Sequence, residues 1–355
     1  MGRRFLFLSL VAAIAVFPSK VRCQQVAPSI IWQKCLGGSG NDQANTIVRT
    51  PDGGFLVAGY SQSNNGDVTG HHGSVDSMDA WVVKLSATGS IQWQKSIGGS
   101  GKDVITQMIP TSDGNYIGIG YTTSNDGDVS GNHLVGAQDV MVVRLDRYGN
   151  ILWLKCYGGS LNEWGTSIRQ TVDGGYIFSA TTDSDDGDVS GNPFLNGYPA
   201  NAAWAVKLDA SGNFVWQGCY GQAYIPQGND ILPLTDGTYL LGVTTLNFNT
   251  TPGGQFFRNA GDGPYAHLVK IGSTGVLLET QAAGTGIGQI YGGVAGFVPI
   301  NSQQYYIADA LNYCYPMNPN WGIGFFRNDT TISYNNTLYA LGVFGICPEP
   351  GVTGR

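Results

Sequence analysis

Charge is what this chain has least of: Asp, Glu, Lys and Arg make up 12% of its 355 residues, against about 25% in an ordinary soluble domain. Its surface must be covered by Asn, Ser, Thr, Gln and turns, and the 53 glycines agree with that. The charge present is mostly acidic. Residues 1–23 hold four basic side chains and no acid, which leaves 14 basic against 25 acidic residues, a net −11. Such a surface cannot release counterions from phosphate backbones or anionic headgroups, so nucleic acid is excluded as a partner, and small neutral ligands, cations and glycans remain.

Other absences narrow the field further. No Cys-x-x-Cys spacing suggests zinc, and no Gly-x-Ser-x-Gly nucleophile elbow is present. Gly284-Thr285-Gly286-Ile287-Gly288 matches a phosphate loop only in its glycines, for it lacks the Lys that follows in one. After residue 23 no stretch reaches the ~18 apolar residues of a transmembrane segment, and no 3.6-residue periodicity suggests a helix.

Residues 1–23 themselves carry Arg3 and Arg4, the apolar run Phe5 to Phe17, and Val21-Arg22-Cys23 at the cleavage site, the layout of a signal peptide. The expected product is secreted or at the cell surface. Of its five cysteines, Cys35, Cys156 and Cys219 share one sequence slot and read as small buried residues, whereas Cys314 and Cys347 are the pair to consider for a disulfide.

That slot belongs to a repeat of 60–63 residues marked by Trp32, Trp93, Trp153 and Trp216. Asp-Gly pairs opening at Asp52, Asp113, Asp173 and Asp236 keep the same spacing, as do Lys84, Arg144, Lys207 and Lys270. Within the second copy, Thr106–Pro110, Tyr116–Tyr121, Val140–Leu145 and Ile151–Cys156 have the length and β-branched content of strands. Gly-centred turns join the first two and the last two. The other connections are longer, about 20 residues around SNDGDVSGN (124–132) and about 10 around YGGSLNEWG (157–165).

A four-stranded antiparallel meander repeated at this period predicts an all-β β-propeller with five blades, the fifth traced through Gly284, Tyr305–Ala310 and Gly322–Arg327. The expected layout is a propeller over 24–345 and a tail over 346–355. Ile31–Leu36 should be a strand completing a blade begun near the C-terminus, in competition with 332–341. Consecutive turns of a meander alternate between its ends, so both long connections share one end. Long loops on a rigid frame are where binding concentrates.

The strings TPDGGFLVAGY (50–60), AWVVKLSATGS (80–90), WQKSIGGSGKD (93–103) and SNDGDVSGN (124–132) resemble a family of exported repeat proteins common in Bacteroidetes. The likeness covers about 31–245 well and 246–340 loosely. It implies propellers of roughly sixty-residue blades, often followed by a domain that sorts them through the type IX secretion system. The chain has no room for that domain after Arg327. The resemblance implies no established reaction.

Four constellations are candidates for chemistry. The loops around Asp67, Asp126 and Asp128, and above all Asp183, Asp185, Asp186, Asp188 and Ser190, offer the clustered oxygens that Ca²⁺ needs; the alternative is Asx capping of the loop backbone. Asp42, Asp103 and Glu163 recur ten residues before each Asp-Gly turn. They form either a ring of acids able to cleave a glycoside, with carboxylates about 5–9.5 Å apart, or repeated loop anchors. The repeat tryptophans belong between blades, which leaves Trp164, Tyr198, Tyr224 and Trp321 as ligand-facing aromatics. His71, His72 and His133 read as solvated loop residues or transition-metal ligands, while His267 sits alone in a strand. The expected function is a binding or scaffold module for glycan or protein, with a carbohydrate-active enzyme and a purely structural surface protein as alternatives.

Overall fold

The computed structural model describes residues 30–74, 76–134, 136–192, 201–220, 227–246, 264–282, 293–301, 304–310, 327–334 and 336–341. Among them there is no helix. The chain instead forms five four-stranded sheets, one per repeat.

The first sheet consists of β1 (Asp42–Arg49), β2 (Phe55–Ser61), β3 (Asp79–Leu85) and β4 (Ile91–Ile97), and the second of β5 (Asp103–Pro110), β6 (Tyr116–Thr122), β7 (Asp139–Leu145) and β8 (Ile151–Tyr157). The third holds β9 (Glu163–Gln170), β10 (Tyr176–Thr182), β11 (Ala202–Leu208) and β12 (Phe214–Tyr220). The fourth holds β13 (Gln227–Pro233), β14 (Tyr239–Leu246), β15 (Pro264–Ile271) and β16 (Leu277–Ala282). All four are antiparallel meanders in chain order. The fifth departs from them. Its strands β17 (Gly293–Asn301), β18 (Gln304–Ala310), β19 (Arg327–Tyr334) and β20 (Asn336–Leu341) are ordered β17-β18-β20-β19, with β18 and β20 parallel.

The four runs expected in the second copy are β5 to β8, each extended by one to three residues. Two expectations fail. Ile31–Leu36 is not a strand, since a strand exists only by pairing and no described strand pairs with it. The connection around 157–165 is also not long. Tyr157 ends β8 and Glu163 opens β9, so the acid is a strand residue and only 158–162 link the two sheets.

In the first four sheets each tight hairpin is built around a glycine with positive φ, and Asp52-Gly53 shows how. Gly53 sits at φ 81°, where an L side chain is strained, and the Asp52 carboxylate accepts from Gly54 N at 3.1 Å and from the Thr50 hydroxyl. Its other oxygen takes Lys84 Nζ at 2.8 Å. The same bridge recurs as Arg144–Asp113, as Lys207–Asp173 at 2.8 Å and as Lys270–Asp236 at 3.3 Å. Two separate marks of the repeat are therefore two ends of one contact, which ties the first hairpin of a sheet to its third strand.

Strands β3, β10 and β11 are buried along their whole length, and β7 everywhere but at Arg144. Their apolar side chains meet those of the neighbouring sheet in shared cores: Leu56, Val82 and Ile97 with Met108, Met141 and Val143; Ile119 and Val142 with Phe178 and Trp204; Ala203 and Tyr220 with Leu241 and Val269. Each Leu, Ile, Val, Met or Phe among them contributes roughly 1.5–3 kcal/mol on burial. Sheet-to-sheet packing is therefore the principal source of cohesion.

Two further contacts fix one sheet on the next. Trp93 lies against Tyr116, 6.1 Å between ring centroids, and donates Nε1 to Arg147 O at 3.1 Å; Trp216 lies against Tyr239 at 5.6 Å and donates to Ser273 O at 2.8 Å. Trp153 meets Tyr176 at 6.2 Å, and there Tyr157 takes over the hairpin contact, donating to Gly212 O at 2.6 Å. The first strands of the sheets each carry a bulge. In the first three sheets the bulged residue bonds to the following sheet: Asn45 donates to Ile105 O at 2.8 Å, Thr106 to Gly165 O at 2.7 Å and Thr166 to Gly228 O at 2.6 Å.

Candidate functional site

The loops joining second to third strands and the links joining sheets lie at one end of each meander, opposite the hairpins. The acids expected to line that end turn into their own sheets. Asp42 accepts from Gly38 N at 2.7 Å, from Ser63 Oγ at 3.0 Å and from Ser61. Asp103 accepts from Gly99 N at 2.9 Å, Ser124 Oγ at 2.8 Å and Thr122. Glu163 accepts from Gly159 N at 2.9 Å, Thr182 Oγ1 at 2.7 Å and Ser184. Asp103 and Glu163 are fully buried, and burial raises the pKa of each above the ordinary carboxylate range. Each acid thereby clamps the glycine link before it to the start of the long loop of the same sheet. In the fourth copy the corresponding sequence position is Pro226.

The loop acids complete that clamp. Asn65, Asp126 and Asp186 accept with Oδ1 from Ser39 N, Ser100 N and Ser160 N at 2.8, 2.7 and 2.7 Å. Those bonds hold the carboxyls of Asp126 and Asp186 below their ordinary range. Asp67 and Asp188 accept from Gly37 N and Gly158 N at 3.3 and 3.2 Å, and Asp185 accepts from Asn192 N at 3.0 Å. Asp183 is set apart: its Oδ1 is buried without a hydrogen-bond donor, and burial raises its pKa. No group of three or more His, Cys, Asp or Glu residues is placed to hold a metal ion among the described residues.

The histidines are not solvated loop residues. His72 Nδ1 lies 2.7 Å from Asp79 Oδ2, and its Nε2 faces Asp128 Oδ2 of the next sheet at 3.8 Å. His133 repeats the arrangement with Asp139 at 2.6 Å and Asp188 at 3.5 Å. His71, whose side chain is 4% exposed, points Nδ1 at Asp79 Oδ1 across 3.5 Å. Asp79 and Asp139 are fully buried, and each has one oxygen, Oδ1, with no hydrogen-bond donor. Sequence reasoning missed these two acids. The signal was present: the residue opening the third strand is Asp79 or Asp139 where the loop has His72 or His133, and Ala202 where it has Pro193.

A second missed cluster lies on the first strands. Arg169 Nη2 bonds both oxygens of Asp230 at 2.9 and 3.0 Å, Ser167 donates to Asp230, and Gln107 accepts from Ile168 N at 2.7 Å. Asp230 stands where the other copies have Thr46, Gln107 and Ser167, so this ion pair breaks the repeat.

Of the aromatic candidates, Trp164 is half-buried on β9, paired across the ladder with Thr181; Tyr198, Tyr224 and Trp321 lie outside the described residues, as do Cys314, Cys347 and the leader. His267 is in β15. Cys156 and Cys219 are half-buried against the cores, and burial pushes both thiols up to about 12. Cys35 is exposed. Among the described residues, large exposed apolar side chains lie mainly at the hairpin end and the outer strands, at Tyr148, Leu152, Val172, Val215, Val276 and Leu278, with Leu134 on a long loop.

No family model matches the chain and no curated protein is similar to it. Among solved structures it is similar to a protein of unknown function from Bacteroides caccae, at 12% identity and a TM-score of 0.32, over 66% of this chain and 81% of that one. The class that the coordinates define is an all-β protein of repeated four-stranded sheets. Among the described residues no helix is long and apolar enough to cross a membrane.

Proposed function

We propose that the chain is a secreted or cell-surface binding or scaffold module, its five sheets the blades of a closed β-propeller and its long-loop end the face that meets a glycan or protein. The observation that supports this reading is the clamp repeated at Asp42, Asp103 and Glu163. Three long loops are each held by a carboxylate, a Ser or Thr hydroxyl and backbone amides, which makes a pre-formed surface whose ordering is not charged to the ligand on binding. A glycan array read with and without chelator tests it. Retention of a defined glycan class is the expected outcome, and an array blank under both conditions removes the glycan version.

The enzymatic alternative draws no support from the acids. Asp103 and Glu163 have no exposure to a substrate, and each already accepts three hydrogen bonds. Should a polysaccharide be found to be cleaved, Asp103→Asn and Glu163→Gln are expected to leave turnover on folded protein unchanged. Calcium at the loops is tested by melting, since an ion bound only by the native state must raise Tm.

A further inference from the structure

We propose that the two seams joining the first three sheets are proton-operated joints, in which Asp79 with Asp103, and Asp139 with Glu163, hold a proton between them and loosen when it leaves. The pairs meet across the seam. Asp103 N donates to Met78 O and Glu163 N to Gln138 O, both at 2.6 Å, so the strand carrying one acid starts beside the strand carrying the other. A Cβ built on Gly158 would stand 2.5 Å from Glu163 Oε2 and 2.8 Å from Asp139 Oδ1, so both carboxylates crowd one glycine of the link.

The charges around them do not balance. The second seam holds Asp139, Glu163 and Asp188 against the one imidazole of His133, with the neutral thiol of Cys156 behind. The first holds Asp79, Asp103 and Asp128 against His71 and His72. Asp79 Oδ1 and Asp139 Oδ1 have no hydrogen-bond donor, and a buried acceptor without one is costly. A proton on the carboxyl pair removes charge and supplies the missing donor in one step.

The direction of the pH effect follows. Burial, the largest cause, raises the pKa of Asp79, Asp103, Asp139 and Glu163. For His133 burial pulls the pKa down, but the hydrogen bond and charge of Asp139, with Asp188 and Glu163, outweigh it and raise the value. Groups with raised folded pKa values bind more protons folded than unfolded, so their stabilisation is greatest below the unfolded values and is lost as pH rises through the folded ones. All these groups act in one sense: the seams are tightest in mild acid and loosen toward alkaline pH. The seam after the third sheet is a built-in control, because Ala202 and Pro193 replace both members of the Asp–His pair there.

Hydrogen–deuterium exchange of the full chain from pH 5 to 9, corrected for intrinsic rates, tests this. Protection of Gly99, Asp103, Gly159 and Glu163 amides is expected to fall by up to about tenfold per pH unit for each proton released, while amides near Ala202 stay flat. Asp139→Asn supplies a permanent donor and is expected to flatten the profile at the second seam only, and Asp79→Asn at the first only. A flat wild-type profile overturns the proposal, as does an undiminished slope in both variants. Restoration of wild-type protection at pH 9 by millimolar Ca²⁺ or Zn²⁺ overturns it too, because the seam would then hold a cation. The wild-type comparison stands even if a variant fails to fold.

Discussion

The Lys84 ammonium, with 3% of its side chain exposed, donates to Asp52 Oδ2 at 2.8 Å across 32 residues of sequence. The carboxylate is 53% exposed, so the bridge is held from within by a desolvated cation and screened from without. The Lys84 hydrogen bond, then that from Thr50, lowers the Asp52 pKa to about 2. Asp173, bonded by Lys207 and Thr171 against a burial cost, also falls to about 2.

Those depressed values predict acid lability. A carboxylate whose folded pKa lies below its unfolded one contributes stability that is present above about pH 4 and lost as pH falls through about 2. Tm is therefore expected to drop over that interval, and Asp52→Asn with Asp173→Asn is expected to lower Tm at pH 6 while reducing the acid loss. With carboxylates this exposed, each bridge is worth only about 1 kcal/mol. An unchanged acid slope in the double variant would remove the hairpin bridges as its cause.

Glycines predict a contrast. Gly131 and Gly149 both have positive φ, 87° and 88°, but a Cβ at Gly131 meets nothing whereas one at Gly149 comes within 2.9–3.1 Å of the Trp93 ring. Gly131→Ala is expected to cost about 1 kcal/mol of backbone strain alone, and Gly149→Ala roughly 1–3 kcal/mol more through the displaced tryptophan. Urea unfolding of the two variants measures the difference; equal losses would show that Trp93 does not pack on that turn.

Cysteine reactivity offers a third check. With their thiols pushed up to about 12, Cys156 and Cys219 are expected to resist alkylation in the native state at pH 8, while Cys35 reacts. Peptide mapping after brief alkylation reads all three. Labelling of Cys156 at the rate of Cys35 would mean that the core beneath the outer strands is open.

Much of the frame was legible because each mark of the repeat has a contact behind it. Trp93 and Trp216 recur because each caps the hairpin of the following sheet, and Asp52 recurs with Lys84 because they bond. Periodicity reports positions, however, and not partners. Asp42, Asp103 and Glu163 share a spacing with any acid ring, and only the Ser and Thr residues 19 and 21 positions on identify them as clamps. Asp79 and Asp139 open apolar strands and carry no sequence signature until set beside His72 and His133. Asp230 and Arg169 are 61 residues apart and break the repeat, so searching for likeness passed over them.

Which end of the frame meets a ligand is the central question, because the pre-formed loops stand at one end and, among the described residues, most exposed apolar side chains at the other. Glycan-array and pull-down binding should be measured for wild type, for Leu134→Arg with Ser130→Arg on a long loop, and for Tyr148→Arg with Val172→Arg at the hairpins. All four positions are exposed, so folding should survive. The account predicts that the long-loop pair abolishes whatever binding wild type shows and that the hairpin pair leaves it intact. Loss of binding in the hairpin pair, with the long-loop pair unaffected, would contradict it.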